Sequence, residues 1–243
     1  MHASPPNSIR RQLTNAGDRE RVALGDRAAK KNFAERLSRA LAQLVADGLR
    51  EAFPGILPDE RGRGQESRAR TARGFKKLDV NYSTPELGLG LGVSIKTLNF
   101  VDPRSSRYTK NYTRIDNELR AEAMDYHRRQ PYAVLVALVF LPIDACDDGS
   151  PERKSSLAKA VEIFRFRAGR EDPGDLPELF ERIFLMLYET APERLGELTC
   201  LDVCDKLPKY GRPRRNIRTL AQVLDEIVAT YDRRNKPRIE WDD

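Results

Sequence analysis

The stretch that most limits the possible folds of this chain is YAVLVALVFLP, residues 132–142. It is a continuous apolar run of strand length, rich in valine, and it ends at Pro142. A strand that is apolar at every position needs cover on both of its faces, as in a sheet that lies between helices. The run therefore predicts a strand buried on both faces.

Two patterns earlier in the chain predict a helix and a hairpin. Apolar residues recur at three- and four-residue spacing over residues 31–53, which predicts an amphipathic helix that ends at Pro54 and covers one face of a sheet. Side chains alternate over residues 77–83 and again over 91–100, and turn residues lie between the two segments. These segments are predicted to form an antiparallel hairpin.

Further helices are predicted on both sides of the apolar run. Thr113 and Asp116 fit a capping box, so we expect a helix from there to about Arg129. Later in the chain, helices are predicted over residues 176–190 and 219–234. The fold class expected from these patterns is α/β, with a central mixed sheet flanked by helices.

The same patterns suggest how the chain is divided. Residues 1–28 are polar and without period, so they are predicted to form a mobile basic arm. Residues 29–243 are predicted to form a single domain, with a core over 31–142 and a helical C-terminal extension over 150–243.

Charge and cysteine content limit the classes of function. The chain has 43 Lys and Arg against 37 Asp and Glu, a net charge of +6, which favours a polyanionic partner. Its three cysteines, Cys146, Cys200 and Cys204, include no C-x2-C pair, so neither a disulfide framework nor a zinc site is expected. The sequence has no apolar run of membrane-spanning length and no signal-peptide pattern, so we expect a cytoplasmic protein that does not contact membranes.

The predicted hairpin brings polar side chains to one face of an apolar strand. Because side chains alternate along a strand, Ser94 and Lys96 share one face while Val93 and Ile95 fill the other. Asp79 of the partner strand is expected roughly opposite Ser94 and Lys96. A buried lysine is unfavourable unless it is paired, so Lys96 needs either a partner or open solvent.

The helix after the hairpin can supply that partner. At about 100° per residue, Ile115 and Leu119 mark its apolar face, Glu122 falls inside this face and Glu118 lies on its border. An acidic residue in an apolar stripe is costly unless it meets a cation or a metal. Two carboxylates can hold Mg²⁺ near a phosphate, the metal lowers the pKa of a bound water, and a lysine can stabilise charge developing on phosphorus.

Taken together, these features resemble the PD-(D/E)XK nuclease superfamily over residues 31–142: a helix, a hairpin with Asp and x-x-Lys, a second helix and a buried strand. The usual pattern has an acidic residue two positions before the lysine, where this chain has Ser94. The arrangement is similar to a subset of type II restriction endonucleases that have Ser-x-Lys on the strand and take the missing carboxylate from the next helix. The resemblance implies a restriction-endonuclease-like fold with helical C-terminal additions.

The resemblance also implies roles for individual residues. Asp79 would be the first metal ligand, Ser94 would occupy the vacated acidic position, Lys96 would be the catalytic lysine, and Glu118 or Glu122 would be the displaced carboxylate ligand. The separation from Lys96 is 22 or 26 residues, longer than expected of that subset, which leaves the choice of glutamate open. The implied activity is Mg²⁺-dependent or Mn²⁺-dependent cleavage of double-stranded DNA by an endonuclease of restriction or phage-defence type. A homodimer is expected of such a family, since both strands are cut.

Three basic clusters are the candidate DNA contacts. They lie in predicted loops and are interleaved with tyrosines or glycines. Cations displace counterions from the DNA backbone, and tyrosines can stack or form hydrogen bonds, although charge runs are also common on solvated faces. The residues expected to contact DNA are Arg70, Arg73, Lys76, Arg104, Arg107, Tyr108, Lys110, Arg114, Arg212, Arg214 and Arg215.

Other polar residues have simpler interpretations. Asp59 follows a proline, as in the superfamily name, but a turn explains it, so Asp79 is the preferred ligand. Glu86 is interpreted as a solvated turn residue that would become a ligand only after a strand shift. The acidic segment 144–148 is interpreted as a turn, and His127 as a surface residue.

Two other functions remain open on the sequence alone. Because Ser94 replaces an acidic residue, the chain could be a nucleic-acid-binding or adaptor subunit that keeps a nuclease-like fold without catalysis. A third hypothesis is a structural partner in a larger complex, whose basic loops bind protein or RNA.

Overall fold

A computed structural model describes residues 6–86 and 88–236. The helices are α1 (Arg10–Ala16), α2 (Arg19–Ala23), α3 (Arg27–Leu49), α4 (Tyr112–His127), α5 (Ser156–Phe164) and α6 (Leu220–Asn235). The strands are β1 (Ser67–Thr71), β2 (Gly74–Leu78), β3 (Val80–Thr84), β4 (Gly88–Thr97), β5 (Val134–Pro142), β6 (Arg182–Tyr188) and β7 (Leu198–Asp202). Short 3-10 turns lie at Thr109–Asn111, Ile143–Cys146, Arg165–Arg167 and Pro192–Arg194.

The central sheet has five strands in the order β3-β4-β5-β6-β7. β5 is parallel to both of its neighbours, whereas the outer pairs β3-β4 and β6-β7 are antiparallel. Every residue of β5 is buried, which confirms the strand predicted from the apolar run. The protein is therefore a mixed α/β structure with a central mixed sheet flanked by helices.

Alternate residues of β5 enter two separate hydrophobic cores. Val136 and Leu138 pack in the core that contains side chains of α1, α3 and α6. Leu135 and Ala137 pack in the other core, which contains side chains of α4 and α5. Because full burial of a Val or Leu side chain stabilises a fold by about 1.5–3 kcal/mol, both faces of the sheet contribute strongly to stability.

The predicted helices around the sheet are present with different ends. α3 corresponds to the helix predicted over residues 31–53, and it begins and ends earlier. α4 has no side-chain cap, so the capping box expected at Thr113 and Asp116 is wrong. Asp116 instead accepts a hydrogen bond from Arg167 Nε at 2.8 Å. A complete capping box is present at the start of α6, between Thr219 and Gln222.

The N-terminal segment forms helices, contrary to the expected mobile arm. Ile9, Leu13 and Ala16 are buried in the core beside α3, and Ile9 N–H donates to Gly196 O at 2.8 Å. Their spacing is helical, but a helix of seven residues shows too little of its period to stand out in a polar sequence. Residues 1–5 of the predicted arm lie outside the described residues.

The segment predicted as a helix over residues 176–190 is instead strand β6, which lies in the sheet between β5 and β7. Six of its seven residues are buried, and a run that is apolar on all sides carries no period to separate a strand from a helix. The C-terminal part therefore adds two strands to the sheet as well as α5 and α6, so the expectation of a purely helical extension is wrong.

Residues 67–78 form a two-stranded antiparallel ribbon, β1-β2, outside the central sheet. A basic loop was expected here, around Arg70, Arg73 and Lys76. Gly74, the first residue of β2 after the turn, has a φ of 127°, which lies in a region that favours glycine. The ribbon leads directly into the central sheet, because a single residue, Asp79, separates the end of β2 from the start of β3.

Within the described residues, the longest helices are too polar or too short to cross a membrane.

Candidate active site

A cleft of about 240 Å³ lies at the end of β4, between α3 and α4. Gln65 and Glu66, just before the ribbon, reach its wall. The cleft is lined by Lys31, Ala34, Glu35, Ser38, Arg39, Gln65, Glu66, Asp79, Ile95, Lys96, Thr97, Arg114, Ile115 and Glu118. Asp79, Lys96 and Glu118, three of the residues selected from the sequence, therefore share one cleft.

Asp79 is positioned by the junction between the ribbon and the sheet. It is the single residue between β2 and β3, and the register of β3 with β4 pairs Val80 with Val93. The backbone N–H of Ile95 donates to Asp79 Oδ2 at 2.7 Å. The predicted antiparallel hairpin is confirmed, and it holds the Asp79 carboxylate beside the strand that carries Lys96.

The two faces of β4 divide as the alternation predicted. Val93 and Ile95 pack in the core beside α3, whereas Ser94 and Lys96 point toward α4. Ser94 is 2 % exposed, and the side chain of Lys96 is 20 % exposed. Lys96 therefore sits at the boundary between the packed interior and the open cleft.

α4 brings two glutamates to Lys96. Lys96 Nζ lies 3.6 Å from Glu122 Oε2 and 3.9 Å from Glu118 Oε2. Glu122 also accepts a hydrogen bond from Ser94 Oγ at 3.1 Å, whereas Glu118 accepts one from Arg114 at 3.0 Å. The side chain of Glu122 is 13 % exposed and that of Glu118 is 42 % exposed. Glu122 is therefore the carboxylate held next to the strand, and Glu118 lies at the solvent side.

Burial dominates the electrostatics of both inner carboxylates. It raises the pKa of Glu122 above its ordinary value; the Lys96 ammonium opposes the rise, and the negative charge of Asp79 adds to it. Burial likewise raises the pKa of Asp79, while the Ile95 N–H and Lys96 oppose that rise. Both carboxyls are poorly solvated, so their ionised forms are disfavoured. Additional positive charge beside them would stabilise those ionised forms.

The donor set fits a hard divalent cation in part. Asp79 and Glu122 offer only oxygen ligands, as Mg²⁺ and Mn²⁺ prefer. In the part of the chain that the structure describes, no group of three or more His, Cys, Asp or Glu side chains lies close enough to hold a metal. Mg²⁺ in phosphate-cleaving sites is commonly bound through one or two carboxylates plus substrate oxygens, so two protein carboxylates are enough for such a site.

Three of the expected DNA contacts belong to the ribbon and its turn. Arg70 is exposed, and its guanidinium lies 5.5 Å from the centre of the Phe75 ring. Arg73 and Lys76 lie 3.8 Å and 2.5 Å from the carboxylate of Asp125 on α4. Lys76 is thus engaged in holding the ribbon against α4, while Arg70 faces outward.

Two of the expected DNA contacts in the segment before α4, Arg107 and Tyr108, already have partners within the protein. Tyr108 is only 6 % exposed and accepts a hydrogen bond from Arg19, so the expectation that it stacks on DNA is wrong in this structure. Arg107 donates to Lys154 O and lies 3.7 Å from Asp148, which joins this segment to the start of α5.

The other expected contacts near α4 remain accessible. Arg104 is exposed, Lys110 lies 3.6 Å from Asp102, and Arg114 lines the cleft beside Glu118. Arg104 and Lys110 are exposed, and Arg114 lines the cleft, so all three stay candidates for contact with a phosphate backbone.

The third basic cluster lies between β7 and α6. Arg212 is paired with Asp147 at 3.2 Å and with Glu189 at 2.9 Å, whereas Arg214 and Arg215 are exposed. The two exposed arginines stay candidates for DNA contact, and Arg212 has a structural role that is independent of any ligand.

The cleft residues from α3 and from the segment just before the ribbon were not predicted from the sequence. Glu35, Ser38 and Arg39 come from α3, and Glu66 comes from the residue before β1. The α3 residues follow helical spacing beside the apolar stripe, which is a signal that could have placed them on one face. Glu66 has φ of 51° and pairs with Lys77 across the ribbon, and no sequence pattern indicated that the ribbon exists.

The structure also shows the surroundings of Asp59, Glu86 and His127, the residues given simpler interpretations. Asp59 accepts hydrogen bonds from the N–H groups of Arg61 and Arg63 in a turn, away from the cleft. Glu86 is exposed, as expected of a turn residue. His127 is only 1 % exposed, so its interpretation as a surface residue is wrong. Its ring lies against Ala133 O, six residues away, and against Pro177 O, 50 residues away along the chain.

Comparison with family models, curated proteins and solved structures finds no match to this chain.

Proposed function

We propose that this protein is a metal-dependent endonuclease that hydrolyses DNA phosphodiester bonds, of restriction or phage-defence type. The observation that supports the proposal is that Asp79 and Lys96 line one cleft open to solvent, with Glu122 3.6 Å behind Lys96 and outside the cleft lining. Paired carboxylates next to a lysine are the groups needed to bind a divalent cation and to stabilise charge on a phosphate.

Each residue has a separate task in this proposal. Asp79 and Glu122 would hold Mg²⁺, and Mn²⁺ has similar ligand preferences. When bound there, such a cation would supply an activated water and polarise a phosphoryl oxygen. Lys96 donates hydrogen bonds to the phosphate oxygen on which charge develops, and Ser94 orients the Glu122 carboxylate through its hydrogen bond of 3.1 Å.

The raised pKa values of Asp79 and Glu122 agree with this arrangement. A cation that binds to carboxylates displaces their protons, so metal binding is expected to weaken as the pH falls. Lys96 would then lose its nearby anions to the metal and turn its ammonium toward the substrate.

The size of the cleft suits one chemical group of a large substrate rather than a whole small molecule. Its volume of about 240 Å³ is smaller than the usual range of about 300–1,000 Å³ for pockets that enclose small molecules. Its lining has four cations, Lys31, Arg39, Lys96 and Arg114, and four carboxylates, Glu35, Glu66, Asp79 and Glu118. A bound divalent cation would add the positive charge that a phosphate needs. A phosphodiester of double-stranded DNA fits this description, and two copies of the chain in a homodimer would cut both strands.

The experiment is incubation of supercoiled plasmid and phage DNA with the purified protein, with and without Mg²⁺ or Mn²⁺. We expect metal-dependent nicked and linear products, and loss of cleavage by about a hundredfold or more in Lys96→Ala and Asp79→Asn. Lys159→Ala and Asp232→Asn are matched controls on α5 and α6, outside the cleft. Folded wild-type protein that cleaves no DNA with either metal would contradict the proposal.

A second function is favoured by one observation. Ser94 stands where the nucleases that the sequence resembles have an acidic residue, and Glu122 already has two partners, Ser94 at 3.1 Å and Lys96 at 3.6 Å. A nucleic-acid-binding or adaptor subunit without catalysis would keep such a set for structural reasons. Duplex binding by the wild type without cleavage, unchanged in Lys96→Ala, would select this function.

A further inference from the structure

The ribbon, residues 67–78, has two faces with different chemistry. Ala69, Thr71 and Leu78 are buried on its inner face. The outer face consists of Arg68 and Arg70 on β1 and of Phe75 and Lys77 on β2, all of them exposed. The inner face explains how the ribbon packs, whereas packing does not explain the outer face.

The like charges on the outer face of the ribbon disfavour folding. The register pairs Arg68 with Lys77, and like charges directly opposite each other in a sheet are destabilising. Lys77 is relieved by Glu66 at 2.6 Å, but neither Arg68 nor Arg70 forms an ion pair with any residue that the structure describes. Phe75 is 61 % exposed beside Arg70. A face with unneutralised cations and an exposed aromatic ring is suited to a polyanionic partner.

The ribbon is held firmly by α4. Ala72 N–H donates to Asp125 O at 2.9 Å, and Tyr126 O–H donates to Lys76 O at 3.0 Å. The ion pair of Lys76 with Asp125 adds a third link. The ribbon is therefore a fixed projection rather than a loose loop.

The position of the ribbon is tied to the candidate active site at several points. Its last residue, Leu78, is followed directly by Asp79, and Glu66 just before it lines the cleft. Asp125, which anchors it, is on the same helix as Glu122. A partner that lies on the outer face is thus held at a set distance from the cleft.

We propose that the outer face of the ribbon enters the major groove of duplex DNA and reads base edges there. This inference rests on the proposed DNA substrate. The major groove is about 12 Å wide and admits a two-stranded β-ribbon. Arg68 and Arg70 have the side-chain chemistry for guanine edges, and Phe75 has that for a thymine methyl group.

The test measures binding apart from cleavage. A labelled duplex of mixed sequence is titrated with protein in EDTA at several salt concentrations, and binding is followed by fluorescence anisotropy. We expect Kd to rise about tenfold or more for the double variant Arg68→Gln/Arg70→Gln, and several-fold for Phe75→Ala. The exposed residues Arg11 and Phe166 lie outside the ribbon, so Arg11→Gln and Phe166→Ala are matched controls and should bind like wild type.

Competition identifies the groove. A major-groove ligand such as methyl green should displace the protein, whereas a minor-groove ligand such as netropsin should not. Displacement by the minor-groove ligand alone would overturn the inference, as would ribbon variants that bind duplex as tightly as wild type.

Failure of this inference can be told apart from failure of the proposed nuclease. If wild type cleaves DNA with metal but the ribbon variants bind normally, the nuclease stands and the ribbon has no role in recognition. If wild type cleaves nothing but binds duplex through the ribbon, the inference stands and the nuclease falls. Wild type that binds no duplex DNA overturns the ribbon inference.

Discussion

At the scale of single residues, the two glutamates of α4 differ in their surroundings, and this difference can be tested. Glu122 is buried and bound by Ser94 and Lys96, whereas Glu118 is partly exposed and shared with Arg114. If Glu122 is the carboxylate ligand, Glu122→Gln should reduce single-turnover cleavage by about a hundredfold, because it removes the charge while keeping the shape. Glu118→Gln is its matched control and should retain most of the rate. The reverse order would identify Glu118 as the ligand.

The pH dependence of stability gives a second prediction for Glu122. Because its pKa is raised in the native state, the native protein holds a proton that the unfolded chain has already released. This contribution is fully present below the ordinary carboxyl pKa of about 4 and is lost as pH rises through the raised pKa. The free energy of unfolding of Glu122→Gln relative to wild type should therefore increase as pH rises from about 4. Urea unfolding at a series of pH values measures it.

A glutamate with the opposite shift serves as the control. Hydrogen bonds from Lys154 and Lys159 lower the pKa of Glu162, so its stabilising contribution is present above the ordinary glutamate pKa. Glu162→Gln should lose stability relative to wild type as the pH rises, a trend opposite in sign to that of Glu122→Gln. The same trend in both variants would contradict the assignment of a buried, charge-resisting carboxyl to Glu122.

Some of the site could be predicted at this scale, and the rest could not. Alternation in β4 and the helical angle in α4 were enough to place Ser94, Lys96 and Glu122 on facing surfaces. Tyr108 and His127 were misplaced because their burial depends on Arg19, Ala133 and Pro177, partners that no local pattern reveals. Local periodicity reports which side of an element a residue lies on, and says nothing of what covers that side.

At the scale of elements, the packing of the N-terminal helix α1 predicts a contribution to stability that a mobile arm would not make. Leu13 is 3 % exposed in the core, whereas Leu24 is 93 % exposed. Leu13→Ala should lower the free energy of unfolding by about 2–4 kcal/mol, since it leaves a cavity. Leu24→Ala should change it by less than about 0.5 kcal/mol. Equal stabilities in urea unfolding would show that α1 does not pack on the core.

The position of the capping box gives another comparison between elements. Thr219 caps α6 with Gln222, and the box expected at Thr113 of α4 does not form. Thr219→Ala should cost about 1 kcal/mol of unfolding free energy. Thr113→Ala, at an exposed position, should cost much less. Thermal unfolding followed by circular dichroism compares the two, and a larger loss at Thr113 would contradict the structure.

Elements with a clear period or a clear boundary were predictable, and others were not. α3 and α6 show apolar stripes, and β5 is bounded by prolines at Pro131 and Pro142. β6 lacks a stripe because the two hydrophobic cores bury both of its faces, and only its place between β5 and β7 decides that it is a strand. The tertiary environment overrides local preference in such segments.

At the scale of the whole molecule, β6 and β7 make the C-terminal part necessary for the sheet. β5 forms its hydrogen bonds to β4 on one side and to β6 on the other. A fragment limited to residues 31–142 would leave one edge of a fully apolar strand open, which favours aggregation over folding. We expect it to show no cooperative unfolding in circular dichroism, while residues 6–236 unfold cooperatively. Cooperative unfolding of the short fragment would contradict the shared sheet.

The ribbon ends one residue before Asp79, and its inner and outer faces serve different neighbours. Substitutions on the outer face leave the links to Asp125 and Tyr126 intact, so a lineage of such proteins can diversify that face without altering the scaffold. An insertion at the tip would lengthen the projection and leave the carboxylate where it is. An insertion at the junction with β3 would instead displace the carboxylate itself. The junction between ribbon and sheet is thus a place where an insertion would disturb the candidate site directly.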